Sequence, residues 1–192
     1  MTTTTYSLSR TVSDGRLTSR RGAAASIVLL LAVPLAIIGQ IALGLDSEVL
    51  IHFALATGTL LIASSVFDFA TPRWQTWAAC TAGIGLGAIF FLQGLAPLLH
   101  SATLGAFAYS RPVGGWGEMV TMSIVMAWFA VVARAHTQGV TRVLGTASAL
   151  LVIGMAMWSI TFAPETGMPQ ELRLLFALPI IWFLFVTTRR AR

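Results

Sequence analysis

The chain has no lysine: all twelve basic residues among its 192 are arginine. That absence excludes a retinal Schiff base, a pyridoxal aldimine and a Walker-type phosphate-binding lysine. Cysteine is nearly absent as well. The single thiol, Cys80, can form neither an internal disulfide nor a CxxC pair, and its place in an apolar run marks it as buried and inert. Charge of either sign is scarce, at 10% of residues against about 25% in soluble domains. Only seven carboxylates are present, too few and too scattered for a metal cluster built from several aspartates. No HExxH, no Ser-His-Asp set at one depth and no pair of carboxylates flanking a cleft can be found, so the chain reads as non-enzymatic.

What is abundant is hydrocarbon. With 56% apolar residues and a mean hydropathy of +0.82, the chain cannot coat itself for water. The composition is that of an all-α integral membrane protein with the lipid bilayer as its first partner. The formal charge of +5 does not point to nucleic acid. The arginines fall mostly between long apolar runs, where membrane topology places them.

A bilayer core about 30 Å thick takes about 20 helical residues to cross. Six segments qualify: Ala23–Leu45, Val49–Phe69, Trp74–Leu99, Trp116–Ala135, Val143–Ala163 and Leu172–Thr188, the last carrying Pro179. None alternates like a barrel strand, so a six-transmembrane-helix bundle is expected. One end of the membrane collects Arg10, Arg16, Arg20, Arg21, Arg73, Arg134, Arg142, Arg189, Arg190 and Arg192; the other holds only Arg111 and Arg173. Arginine-rich short loops stay inside, which places both termini in the cytoplasm. The domain plan is then a mobile cytoplasmic tail over residues 1–22, a transmembrane domain over 23–188 and a basic C-terminus over 189–192. Ser19-Arg20-Arg21 resembles a twin-arginine signal, but the apolar run that follows is too long for one. The all-arginine usage suggests a bacterial cytoplasmic membrane. An extended outer loop, His100 to Gly115, joins helices three and four; its first part is expected to lie at the interface and its Ser110–Gly115 part to form a flexible turn.

Gly83 and Gly87 lie inside an apolar span and read as small-residue packing rather than a nucleotide loop. Trp74, Trp77, Trp116 and Trp158 fall near span ends, as interfacial anchors do. At the arginine-rich end, Asp68 stands close enough in sequence to pair with Arg73. The opposite end is richer in polar groups. Gln40, His52, Gln93, His100 and Glu118 come from four consecutive spans at similar depth, and Trp116 stands beside them. Polar groups in spans are costly and usually face the interior or a wet cavity. They point to an outer-leaflet polar pocket for a small, lipid-like or amphipathic ligand, in a transport protein or a subunit of a larger membrane complex. Two alternatives stand beside that expectation. His52 and His100 could ligate a haem b iron from both sides, with Glu118 orienting one ring, in an electron-transfer subunit. Or the polar groups trim the interface of a structural accessory subunit.

Overall fold

The computed structural model describes residues 19–44, 46–162 and 175–188, and every regular element among them is helical. Most of the expected N-terminal tail, Glu165, Glu171 and Arg173 of the expected outer loop, the start of the last expected span and residues 189–192 lie outside the described residues. Helix α1 (Arg20–Leu43) begins ahead of the expected Ala23, because Ser19 Oγ caps it by accepting the Gly22 N–H at 2.9 Å. Gly44, at φ 65°, ends it and returns its N–H to the Gln40 carbonyl at 3.1 Å. Helix α2 (Ser47–Ser65) is capped by Asp46 Oδ1, which accepts from Glu48 N at 2.9 Å, and it runs on into a 3-10 turn over Val66–Asp68. Helix α3 covers Arg73–Leu98.

The stretch expected as a flexible link is structured instead. The first part of the loop is the helix α4 (Ala102–Ala108), and the Ser110–Gly115 part falls in a π-helical turn over Arg111–Gly117 that leads directly into α5 (Glu118–His136). The turn is held at its root, where the Ser110 carbonyl accepts from the amides of Val113, Gly114 and Gly115 at 3.1, 2.9 and 3.3 Å. Helices α6 (Gly139–Phe162) and α7 (Ala177–Thr188) complete the chain. Among the described residues, five helical stretches are long and apolar enough to cross a membrane. The twelve residues of α7 reach about 18 Å, short of a full crossing on their own. The architecture is an all-helical bundle suited to a membrane, with its large apolar side chains, such as Ile41, Val140 and Phe162, turned outward.

Cross-links gather at the arginine-rich end. Ser19 Oγ donates to Asp68 Oδ2 at 2.6 Å, so the partner of Asp68 is the cap of α1 rather than the expected Arg73. The Trp182 indole donates to the Thr141 carbonyl at 2.8 Å, and Phe183 and Thr187 pack against Gly22. The end of α7 therefore lies level with the start of α1 and the start of α6, so the described chain begins and finishes at the same end of the bundle. Here the core is aromatic: Phe129 stacks on Phe183 at 4.5 Å, and Phe69 meets Trp128 edge-on at 5.3 Å.

Close approach of α2 to α3 confirms the packing role of the span-three glycines. A Cβ on Gly83 would stand 2.9 Å from Ala63 Cβ, and one on Gly87 would stand 2.9 Å from Leu60 Cγ. The tightest approach is at Gly145, where a Cβ would fall 2.2 Å from Trp182 Cε2. Gly145→Ala is expected to force the indole out of its seat and lower stability by about 1–3 kcal/mol. Gly154→Ala, on the same helix with nothing within 4 Å, should be neutral or stabilising. Thermal unfolding in mild detergent compares the two.

Candidate functional site

Three of the polar residues singled out above are buried together at the end opposite the arginines: Gln93 at 3% exposure, Glu118 at 4% and His52 at 6%. Each arrives on a different helix. Gln93 lies on the last turns of α3, Glu118 opens α5 and His52 sits five residues into α2. The Gln93 amide donates to Glu118 Oε2 at 3.4 Å. The backbone carbonyl of Gln93 accepts the Tyr109 hydroxyl at 3.2 Å, and the Tyr109 ring meets the His52 ring edge-on, centroids 6.2 Å apart. His52 Nδ1 lies 2.7 Å from the Glu48 carbonyl, one turn back along α2. A carbonyl only accepts, so this nitrogen carries a hydrogen and the tautomer is set by the backbone.

Two glycines permit the arrangement. A Cβ on Gly94 would stand 3.1 Å from His52 Cβ, so its absence lets α2 bring the imidazole against α3. A Cβ on Gly114 would lie 2.6 Å from the Ala108 carbonyl and 3.1 Å from Gln93 Nε2. The π-helical turn thus closes over the amide with bare backbone. Such turns commonly occur where a helix is bent to serve a site.

Beside this cluster lies a cavity of about 260 Å³, bounded by α1, α2, α3, α5 and α7. Its wall is hydrocarbon: Leu29 and Val33 of α1, Leu55 of α2, Phe90 of α3, Met122 of α5 and Ile180 of α7 are typical. Glu118 is the one polar residue among the described residues that line it. The cavity also reaches the bilayer side of the bundle, since its lining residue Val33 is 51% exposed. Pro34 follows in α1 and cannot supply the amide that a regular helix would direct to the Leu30 carbonyl, another lining residue.

The other three expected residues stand apart. Gln40 and Trp116 are exposed, and the Arg111 guanidinium lies over the Trp116 ring at 5.6 Å. His100 is exposed with φ 48°, closing α3 as its left-handed terminal residue. It lies six residues beyond Gly94, which His52 touches, or about 9 Å further along the helix direction. The structure thus joins His52, Gln93 and Glu118 but does not bring His100 to them. Among the described residues, no group of three or more His, Cys, Asp or Glu is disposed to hold a metal ion. Tyr109 and the aliphatic lining were not singled out from the sequence. A tyrosine in an otherwise mildly apolar loop was the available signal for the first; the second has none.

No protein-family model matches the chain, and no curated protein or solved structure resembles it significantly. The site therefore has to be interpreted from its own chemistry.

Gln93→Leu keeps the volume and removes the amide that serves Glu118. A buried carboxylate deprived of a hydrogen bond costs about 1–3 kcal/mol. Thermal unfolding of this variant should fall by that amount, whereas Gln40→Leu, on the exposed face of α1, should leave it unchanged.

Proposed function

We propose that the protein is a membrane-embedded binder of a small amphipathic molecule, whose apolar body fills the cavity and whose polar head meets Glu118. The observation that carries this reading is the composition of the cavity wall, hydrocarbon from five helices interrupted by one buried carboxylate. Ligand sites are mostly apolar enclosures with a few placed polar groups that fix orientation. A ready-made apolar void also has a cost, because lining atoms forgo dispersion contacts they would make if packed. A void kept next to a buried acid is better explained by an occupant than by imperfect packing. Among the described residues no nucleophile lines it, and the apolar wall supports binding, as a carrier or as a subunit of a larger complex.

The arginine distribution sets the orientation within this proposal. Arg20, Arg21, Arg73, Arg134 and Arg142 share the end where α1 begins, which is assigned to the cytoplasm of a bacterial cell. The cavity and Glu118 then belong to the outer half of the bilayer. Reporter fusions at Arg73 and Arg142 should report a cytoplasmic location; an external location at both would reverse the assignment.

Binding is tested by screening short amphiphiles for thermal stabilisation of the purified chain. A ligand at a hundred times its Kd adds about 2.7 kcal/mol. Ala32→Phe places a ring from a buried lining position into the cavity and should abolish the response. An equal response in wild type and Ala32→Phe would show that the amphiphiles act elsewhere.

A further inference from the structure

At the end of the bundle away from the cavity, we propose that Arg21 and Arg73 hold the phosphate of an anionic phospholipid, with the first part of an acyl chain lying on the rings of Phe67 and Trp77. The surface that joins the two arginines is continuous. Helix α2 packs against both α1 and α3. The Arg21 guanidinium reaches from α1 to the end of α2, where Nη1 donates to the Ser64 carbonyl at 3.5 Å. Phe67 follows three residues later in the 3-10 turn, close to the same side of the chain. Its ring meets the Trp77 ring edge-on at 5.4 Å. Arg73 lies one helical turn ahead of Trp77 on the same face of α3. Both arginines are exposed, as are Phe67 at 51% and Trp77 at 54%. Exposed rings below arginines at the end of a span mark the level of the headgroups, with hydrocarbon on one side and phosphate on the other.

Charge selects the headgroup. Among the described residues this end holds Arg20, Arg21, Arg73, Arg134 and Arg142 against Asp68, and Asp68 accepts the Ser19 hydroxyl at 2.6 Å. The excess does not depend on the rest of the chain. Residues 1–18 and 189–192, which flank the described chain at this end, add five arginines and one aspartate. A zwitterionic lipid would bring an ammonium group into that positive field, whereas a lipid of net negative charge brings none. Arginine clusters beside a span attract anionic headgroups, and the guanidinium fork matches two oxygens of one phosphate.

The test uses the full chain in neutral detergent, titrated with phosphatidylglycerol and phosphatidylethanolamine of the same acyl chains, with bound lipid counted by native mass spectrometry. Phosphatidylglycerol should bind saturably and at least tenfold more tightly. Arg21→Gln and Arg73→Gln should each weaken it about fivefold, the effect of one arginine at an anionic surface. Arg142→Gln removes the same charge from α6, where the guanidinium donates to the Thr137 carbonyl at 2.8 Å, and should leave binding within about twofold. If the two lipids bind equally, the charge assignment is overturned. If Arg142→Gln weakens binding as much as the other two variants, the attraction is diffuse and no site exists. Displacement of the lipid by millimolar sodium phosphate would make the ligand a free anion instead. Ala32→Phe, which fills the cavity, should leave phosphatidylglycerol binding intact; its loss there would move the lipid into the cavity and overturn the assignment to Arg21 and Arg73.

Discussion

Hydrocarbon offers no hydrogen bonds, so every polar group carried into a bilayer has to be satisfied from within the protein. For the backbone, the helices meet that demand. For side chains it is met locally in most cases, as when Thr59, Ser65 and Thr187 return their hydroxyls to carbonyls three or four residues back. Glu118 draws on other elements. Its seat is assembled from distant parts of the chain: Gln93 from α3, the π-helical turn that delivers it to α5, and Tyr109 holding the Gln93 backbone from the loop. The missing side chains of Gly94 and Gly114 belong to the same construction, because either Cβ would push a member of the cluster aside.

The two ends of the bundle are built differently in consequence. Toward the arginines, large rings fill the interior, and the indoles of Trp128 and Trp182 find acceptors at Thr71 and Thr141. That end is closed by packing, with Trp182 seated in the notch left by Gly145. Toward the other end the cavity beside Glu118 is lined mainly by Leu, Val, Ile and Met, with Phe90 and Phe176 among them. A rigid floor beneath a partly open upper half is the arrangement expected of a binding site held on a stable scaffold.

Depth was legible in the sequence, and direction around each helix was not. Run lengths located the helices to within a few residues, and glycine spacing located the α2–α3 contact. Residue counting also placed Gln40, His52, Gln93, His100 and Glu118 near one level. It could not tell that Gln40 faces outward while Gln93 faces inward, because lipid-facing and core-facing surfaces of a membrane helix are both apolar and the usual amphipathic cue vanishes. His100 is expected from its depth to join the pocket or ligate haem, whereas its backbone conformation uses it to end α3. The cavity itself left no trace in the sequence, since Leu29, Phe90 and Ile180 look like any other core residues. Only the relative placement of five helices turns them into a wall.

The central claim, an apolar cavity that takes an amphipathic molecule beside one carboxylate, is most directly tested by photolabelling. A diazirine-bearing short amphiphile would be irradiated with the protein in lipid nanodiscs, and the modified residues mapped by mass spectrometry. The account predicts labels on Leu29, Leu30, Val33 and Met122, competed away by excess unlabelled amphiphile. Labels confined to outward residues such as Leu35 and Ile41, and unaffected by competitor, would contradict it.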